Sequence, residues 1–147
     1  KKLQRKNLLK KITLEIGNAE RLKYESGYFD VVTICFGVRN FQYLEKSLKE
    51  AHRVLKNSGN LVIYETSIPK NIFIRFFYLI ISSLYIPFIG MVFSKNPNAY
   101  VYLQNSSKKF PSGIKFLKIL SKIGFYDFEI REKLLGSLSI YVAKKIN

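Results

Sequence analysis

The sequence predicts an α/β fold, in which a parallel sheet ends in an antiparallel hairpin, and three observations predict it. An apolar run at residues 29–36 is followed by an amphipathic helix and a second apolar run at 61–64, which is a βαβ unit. A helical pattern at 112–123 precedes two strand candidates that a turn at Gly136 joins. Of the 147 residues, 48% are apolar, which is enough for the core of one globular domain.

The N-terminal residues predict a basic helix and a short strand. Residues 1–11 carry six basic side chains and no acidic one, and their apolar positions lie near helical spacing. Residues 12–16 alternate as a short strand and run into a turn at 17–20. Because the first residue is Lys1 and not Met, we expect the chain to be a piece of a longer protein or a processed product.

The central βαβ unit follows from three adjacent patterns. The continuous apolar run at 29–36 is typical of a buried parallel strand, and it stops at Gly37. In residues 42–56 the apolar positions recur at i, i+4 and i+7, which predicts an amphipathic helix that residues 57–59 end. A second buried strand is expected at 61–64, parallel to the first.

The C-terminal part predicts a helix and a hairpin. The helix at 112–123 is closed by Gly124, and strand candidates follow at 125–131 and 138–143. Two strands joined by so short a connection must be antiparallel. The sheet should therefore end in a hairpin at its C-terminal edge.

An uncharged run of eighteen residues, 76–93, is near the lower length limit for a membrane span. Ser82, Ser83, Pro87 and Gly90 interrupt it, and a proline breaks or kinks a helix. We therefore expect helices that are kinked or split near Pro87. They would bury apolar surface in the protein, in a lipid-binding mouth or in a membrane interface.

The composition excludes several kinds of chemistry. A single cysteine, Cys35, allows no intrachain disulfide, and with the single histidine, His52, it cannot build a Cys/His zinc site. Only two aspartates are present, so the sequence offers few residues for the carboxylate clusters that two-metal chemistry needs. No metal site is expected. The net charge of +15 comes from 19 lysines and 6 arginines that are scattered along the chain. This favours attraction to an anionic membrane surface over binding of nucleic acid.

The order of the motifs resembles that of the class I S-adenosylmethionine-dependent methyltransferases, and more closely the ubiquinone/menaquinone-biosynthesis C-methyltransferases. The motifs lie at residues 17–20, 29–30, 35–41, 53–59, 65–67, 99–103 and 110–111. The most specific is Phe-Gly-Val-Arg-Asn at 36–40, which Tyr-Val-Tyr-Leu at 100–103 and Phe-Pro at 110–111 follow. Where the family has Lys-Pro-Gly-Gly, this chain has Lys-Asn-Ser-Gly at 56–59.

The resemblance implies a Rossmann-like class I methyltransferase sheet that lacks its first two strands and the glycine-rich loop. Residues 1–147 would be the C-terminal portion of such a domain, with 72–111 as a substrate lid or lipid-facing insertion. In the family's strand order 3-2-1-4-5-7-6, a continuous sheet should form from 29–36, 60–64, 138–143 and 125–131. Residues 12–16 should then have lost their natural neighbour.

The resemblance also implies roles for eight residues. Arg39 and Asn40 would be catalytic, because methylation of a ring carbon needs a phenolate whose charge the arginine stabilises while the asparagine orients the ring oxygen. The cofactor-binding residues would be Asn18, Ala19 and Cys35, and the substrate-binding residues Tyr100, Tyr102 and Leu103.

Four of these residues have a structural alternative. Asn18 can be an ordinary turn residue, and Cys35 a small apolar residue in a strand. Arg39 can pair with a carboxylate such as Glu65, and Asn40 can cap the following helix. His52 is interpreted as a solvated or capped helix histidine and not as the partner of Cys35.

The expected function is C-methylation of a demethylated polyprenyl quinol, such as demethylmenaquinol to menaquinol, with S-adenosylmethionine as the cofactor. The expected partners are the quinol and a membrane surface, and a homodimer is a further option. The protein would be cytoplasmic and bound peripherally at the inner face of the membrane. The alternative is a truncated, non-catalytic membrane-associated module. A methyltransferase acting on RNA is disfavoured by the motif at 36–40.

Overall fold

The computed structural model describes residues 11–85 and 97–146. In chain order the elements are β1 (Phe29–Cys35), a 3-10 turn (Val38–Asn40), α1 (Leu44–Val54), β2 (Leu55–Thr66), α2 (Ile72–Ile80), a π-helical continuation (Ile81–Tyr85), α3 (Pro97–Lys109), α4 (Ile114–Ile123), β3 (Phe125–Lys133), a second 3-10 turn (Leu134–Gly136) and β4 (Leu138–Lys145). The helix expected at residues 1–11 lies, except for its last residue, outside the described residues.

The four strands form one sheet in the order β1-β2-β4-β3. β1 and β2 are parallel, with Cys35 opposite Tyr64. β4 runs antiparallel to both β2 and β3. The predicted continuous sheet and its antiparallel hairpin are therefore confirmed.

Two expectations about the first half of the chain are wrong. Residues 12–16 form no strand, and Leu14 is 71% exposed, because no other described segment pairs with them. β1 is not buried as its apolar run suggested, since its residues are half-buried or exposed. In the described part of the structure β1 pairs with β2 alone, so one of its edges has no neighbouring strand.

β2 is longer than expected and begins directly after α1. The predicted turn at 57–59 lies inside the strand as an irregularity, in which Ser58 has a left-handed φ of 59°. A Cβ atom on Gly59 would lie 2.8 Å from the carbonyl oxygen of Lys56 and 3.1 Å from that of Asp30. Only glycine fits this close approach of β1 and β2 without displacing the backbone.

The core lies between one face of the sheet and the helices α1 and α4. Alternate residues of β2 point toward this face, and Leu61 and Ile63 pair there with Ala143 and Tyr141 of β4. The helices contribute their apolar stripes, which include Leu48 and Ala51 of α1 and Phe116 and Leu120 of α4. Glu65 continues the same alternation, so a carboxylate lies on the buried face at the carboxyl end of β2.

The apolar segment after β2 begins as α2. The side chain of Asn71 caps this helix, because its Oδ1 accepts hydrogen bonds from the backbone N–H groups of Phe73 and Ile74. Among residues 11–85 and 97–146, no helix has the length and hydropathy needed to cross a bilayer. The break expected near Pro87 lies outside the described residues.

Candidate active site

The end of β1 places Arg39 over the carboxyl end of β2. Phe36 ends the strand in a left-handed conformation (φ 51°), and its N–H donates to the carbonyl of Tyr64 at 2.8 Å. The 3-10 turn that follows is anchored by Val38, which is 1% exposed. A bulky residue at positive φ is uncommon and costs free energy, and such strain is concentrated at functional sites.

Arg39 and Glu65 form a buried ion pair between the guanidinium Nη1 and the carboxylate Oε1. Their side chains are 8% and 0% exposed. Glu65 also accepts hydrogen bonds from the N–H of Thr66 (2.8 Å), the hydroxyl of Thr66 (3.2 Å) and the N–H of Arg39 (3.4 Å). A buried charge needs this degree of compensation, so the pairing predicted as the structural alternative for Arg39 is confirmed.

Arg39 also reaches the helix α3. Its Nε donates to the hydroxyl oxygen of Ser106 at 3.3 Å, and its Nη1 donates to the carbonyl of Phe36 at 3.3 Å. Next to this contact, the hydroxyl of Thr66 donates to that of Ser107 at 3.0 Å. The ends of β1 and β2 are thus joined to α3 through polar side chains.

Asn40 contacts Tyr102, one of the residues expected to bind substrate. The tyrosine hydroxyl donates to Oδ1 of Asn40 at 3.0 Å, and Nδ2 of Asn40 donates to the carbonyl of Phe36 at 3.4 Å. The expectation that Asn40 caps the following helix is wrong, because α1 begins after Tyr43 and has no side-chain cap. The side chain of Asn40 is held instead by the hydroxyl of Tyr102 and the carbonyl of Phe36.

The helix α3 separates two cavities, because residues four apart lie on the same side of a helix. Tyr102 and Ser106 line a cavity of about 490 Å³ together with Arg39. Leu103 and Ser107 line a cavity of about 250 Å³ whose walls are mostly apolar; the other residues are Phe36, Thr66, Ile68, Tyr78, Ser82, Lys108, Leu134, Ser137 and Leu138. The Arg39–Glu65 pair therefore lies between a more polar and an apolar cavity. Tyr100 is also on α3, but its side chain is outside the described part of the structure.

The three residues expected to bind the cofactor lie in two places. Cys35 is the last residue of β1 and is exposed. Asn18 and Ala19 lie in a turn, where Oδ1 of Asn18 accepts the N–H of Glu20 at 2.9 Å. The carboxylate of Glu20 pairs with Lys46 in the first turn of α1 at 3.3 Å. Since α1 starts at the carboxyl end of β1, this turn lies near the edge of the sheet where Cys35 ends its strand.

His52 has a structural environment. Its Nε2 donates to the carbonyl of Gly124 at 3.3 Å, and its ring packs edge-on against Phe125. Burial, with a smaller effect of Lys145, lowers the pKa of the imidazole. The neutral ring therefore joins α1 to the end of α4.

Sequence reasoning missed several residues of the site. Ser106, Ser107 and Tyr78 come from helices distant along the chain from Arg39. For the two serines the spacing along α3 is a signal, because they lie four residues after the predicted substrate residues Tyr102 and Leu103 and so on the same sides of the helix. For Tyr78 the pattern of α2 gives no such signal. Burial raises the pKa of the Tyr78 phenol, so this side chain contributes a neutral hydroxyl to the wall of the apolar cavity.

The fold is shared with solved methyltransferase structures. An S-adenosylmethionine-dependent methyltransferase from Thermotoga maritima superposes with a TM-score of 0.56 at 19% identity, over 88% of this chain and 61% of that one. Phosphoethanolamine N-methyltransferase 2 from Haemonchus contortus, in complex with S-adenosyl-L-methionine, gives a TM-score of 0.58 at 13% identity, over 88% of this chain and 36% of that one. At these identities the similarity shows the class I Rossmann-like fold.

Sequence relatives are considerably closer. The demethylmenaquinone methyltransferase of Bacteroides fragilis is 35% identical over 98% of this chain and 59% of its own length. That of Chlorobaculum tepidum is 41% identical over 88% of this chain and 53% of its own. The ubiquinone/menaquinone biosynthesis C-methyltransferase UbiE of Rickettsia prowazekii is 38% identical over 95% of this chain and 56% of its own. This chain thus spans between one half and three fifths of these relatives.

A sequence model of the ubiE/COQ5 methyltransferase family matches residues 1–145, which is nearly the whole chain. The family predicted from the motifs at 36–40 and 100–103 is therefore confirmed. On its sequence and its fold, the chain belongs to the ubiE/COQ5 methyltransferase family.

Proposed function

We propose that the protein acts in C-methylation of a demethylated polyprenyl quinol, demethylmenaquinol to menaquinol, with S-adenosylmethionine as methyl donor. The observation that carries the proposal is the position of Arg39 at the carboxyl edge of the sheet, where it lines the more polar of two cavities and pairs with Glu65 beside the apolar one, with Asn40 next to it in sequence. The family match and the names of the relatives support the same reaction class.

We place the adenosine portion of the cofactor at the turn that contains Asn18 and Ala19 and at the end of β1. In open α/β sheets ligands bind beyond the carboxyl ends of the strands. Asn18 and Ala19 would hold the base from the turn beside α1, and Cys35 from the end of β1. When bound, S-adenosylmethionine supplies an electrophilic methyl group.

Arg39 and Asn40 would act on the quinol. A ring carbon becomes nucleophilic when the neighbouring hydroxyl loses its proton, and the negative charge then lies largely on the oxygen. The guanidinium has five N–H donors, and its contacts with Glu65, Phe36 and Ser106 engage Nη1 and Nε. The Nη2 group is the donor that we assign to the quinol oxygen, whose charge it would stabilise.

The surroundings would position these groups. Tyr102 donates to Oδ1 of Asn40, and Nδ2 of Asn40 donates one N–H to the carbonyl of Phe36, so its second N–H is the donor that we assign to the ring oxygen. Glu65 holds the guanidinium in one orientation, so little reorganisation is needed when charge develops. The apolar cavity beside Leu103 would take the first part of the prenyl chain and exclude water from the reacting carbon.

The experiment is expression of the complete gene that contains this coding sequence in a bacterium that lacks its own demethylmenaquinone methyltransferase. Restored menaquinone in the quinone fraction is the expected result. Arg39→Lys keeps the positive charge but removes the planar guanidinium with its several N–H donors. It should lower kcat at least tenfold while the Kd for S-adenosylmethionine stays unchanged. Equal loss of cofactor affinity would make Arg39 purely structural. No methylation by the unaltered protein, with membrane association retained, would support the non-catalytic alternative.

A further inference from the structure

One side of α2 and its continuation is an exposed apolar surface. Seven residues with helical spacing make it up: Ile72, Phe73, Phe76, Phe77, Ile80, Ile81 and Leu84. Phe73 is 75% exposed, Phe76 60% and Phe77 61%, so these three rings alone present roughly 400 Å² to solvent. Contiguous patches on monomeric proteins are seldom larger, and the four aliphatic side chains add to this area. We call these seven residues the α2 surface.

A turn next to α2 extends this surface. Leu134 and Leu135 are 73% and 76% exposed and have left-handed φ angles of 50° and 57°. In a turn of this kind glycine or asparagine is the usual residue, so two exposed leucines are unusual. A Cβ atom on Gly136 would lie 3.3 Å from Cα of Pro69, which places the turn beside the start of α2.

The charge around the α2 surface is one-sided. In residues 66–111, which include α2 and α3, the sequence has five lysines and arginines and no acidic residue. Arg75 lies within α2, and Nζ of Lys108 donates to the hydroxyl of Ser83 at 3.4 Å. The carboxylate of Glu132 pairs with Lys70 at 2.7 Å, which compensates its charge. An apolar helix side with a cationic border is the pattern of a helix that lies in the interface of an anionic bilayer.

The opposite side of the same helix reaches the apolar cavity. Tyr78 and Ser82 line that cavity together with Leu103, Leu134 and Lys108. A single helix therefore separates the α2 surface from the cavity that we assign to the substrate.

We infer that the α2 surface, with Leu134 and Leu135, docks on the surface of an anionic bilayer and admits the apolar part of a bilayer-resident substrate along α2. The substrate part of the inference rests on the proposed function, whereas lipid contact does not. A second copy of the chain is a poorer occupant, because a two-fold contact would bring Arg75 and Lys108 toward the same cations of the other copy.

The test uses the absence of tryptophan from the sequence. Phe77→Trp places one fluorophore on the α2 surface, and Tyr43→Trp places a matched one before α1, where Tyr43 is 57% exposed. Each protein is mixed with vesicles of phosphatidylcholine, with and without phosphatidylglycerol, at low and high salt. With the anionic vesicles we expect a blue shift and quenching by brominated acyl chains for Phe77→Trp and no quenching for Tyr43→Trp. Adding Arg75→Gln should weaken the apparent vesicle affinity about fivefold at low salt.

Three results would overturn the inference. The first is Phe77→Trp emission that anionic vesicles leave unchanged, and the second is equal quenching of both tryptophans. The third is a blue shift that depends on protein concentration without lipid, which would assign the α2 surface to a second copy. None of these readouts measures methyl transfer, so the docking inference and the proposed function can fail separately.

Discussion

Replacement of Arg39 by methionine should destabilise the fold markedly, because it leaves Glu65 buried without its cation. Removing one partner of a buried pair costs about 3–5 kcal/mol. Here the N–H and hydroxyl of Thr66 still donate to the carboxylate, so we expect the lower end, about 3 kcal/mol. The double variant Arg39→Met with Glu65→Gln removes both charges, and it should be more stable than the sum of the single effects by about 2 kcal/mol.

The assay is urea unfolding followed by far-UV circular dichroism for the two single variants, the double variant and the unaltered protein. Lys56→Met is the matched control, since Lys56 pairs with Asp30 at 2.7 Å but the two side chains are 50% and 79% exposed. It should leave the unfolding midpoint unchanged within error. A loss below about 1 kcal/mol for Arg39→Met, or strictly additive single effects, would refute the view that this pair is a buried and coupled unit.

Further predictions concern three positions. Gly59→Ala would place a Cβ atom 2.8 Å from the carbonyl oxygen of Lys56, and it should lower the free energy of unfolding by about 1–3 kcal/mol in urea titrations. Because burial lowers the pKa of His52 in the folded state, the unfolded state binds a proton more readily. The contribution of His52 to the free energy of unfolding should therefore be fully present above about pH 6.5 and be lost as the pH falls through the pKa of the folded state. His52→Gln should flatten that part of the pH profile, and an unchanged profile would assign it to other groups. Tyr102→Phe removes the hydrogen bond to Asn40 and should raise KM for the quinol severalfold. Because Tyr102 is 57% exposed, the unfolding midpoint should not change. An unaltered KM would contradict the positioning role of Tyr102.

The sheet and the Arg39–Glu65 pair could be predicted from the sequence for a common reason. Strand and helix periodicities are local, and the right-handed βαβ rule then fixes which strands are adjacent. Arg39 follows β1 and Glu65 ends β2, so the adjacency of two parallel strands already brings their carboxyl ends together. The pairing thus depends on two neighbouring elements only.

The parts that could not be predicted depend on long-range packing. The contact between Tyr102 and Asn40 joins residues 62 positions apart, and its geometry depends on how α3 lies over the sheet. The exposure of β1 could not be predicted from its apolar run. Such a run indicates a strand, but it does not determine how many strands and helices pack against it. The left-handed conformation of Phe36 has no signal in its residue type.

The free edge of β1 in the described structure has a consequence for handling the protein. An unpaired strand edge offers a row of N–H and C=O groups on which another strand can be templated, either from a second molecule or from an added peptide. Val31, half exposed in β1, gives that edge an apolar side chain with no charge to discourage such addition. When the 147-residue chain is stored by itself, concentration-dependent growth of β-structure should therefore occur, and Val31→Lys should suppress it, as light scattering would show. If Val31→Lys does not slow the growth of β-structure, the surface responsible for aggregation lies elsewhere on the molecule.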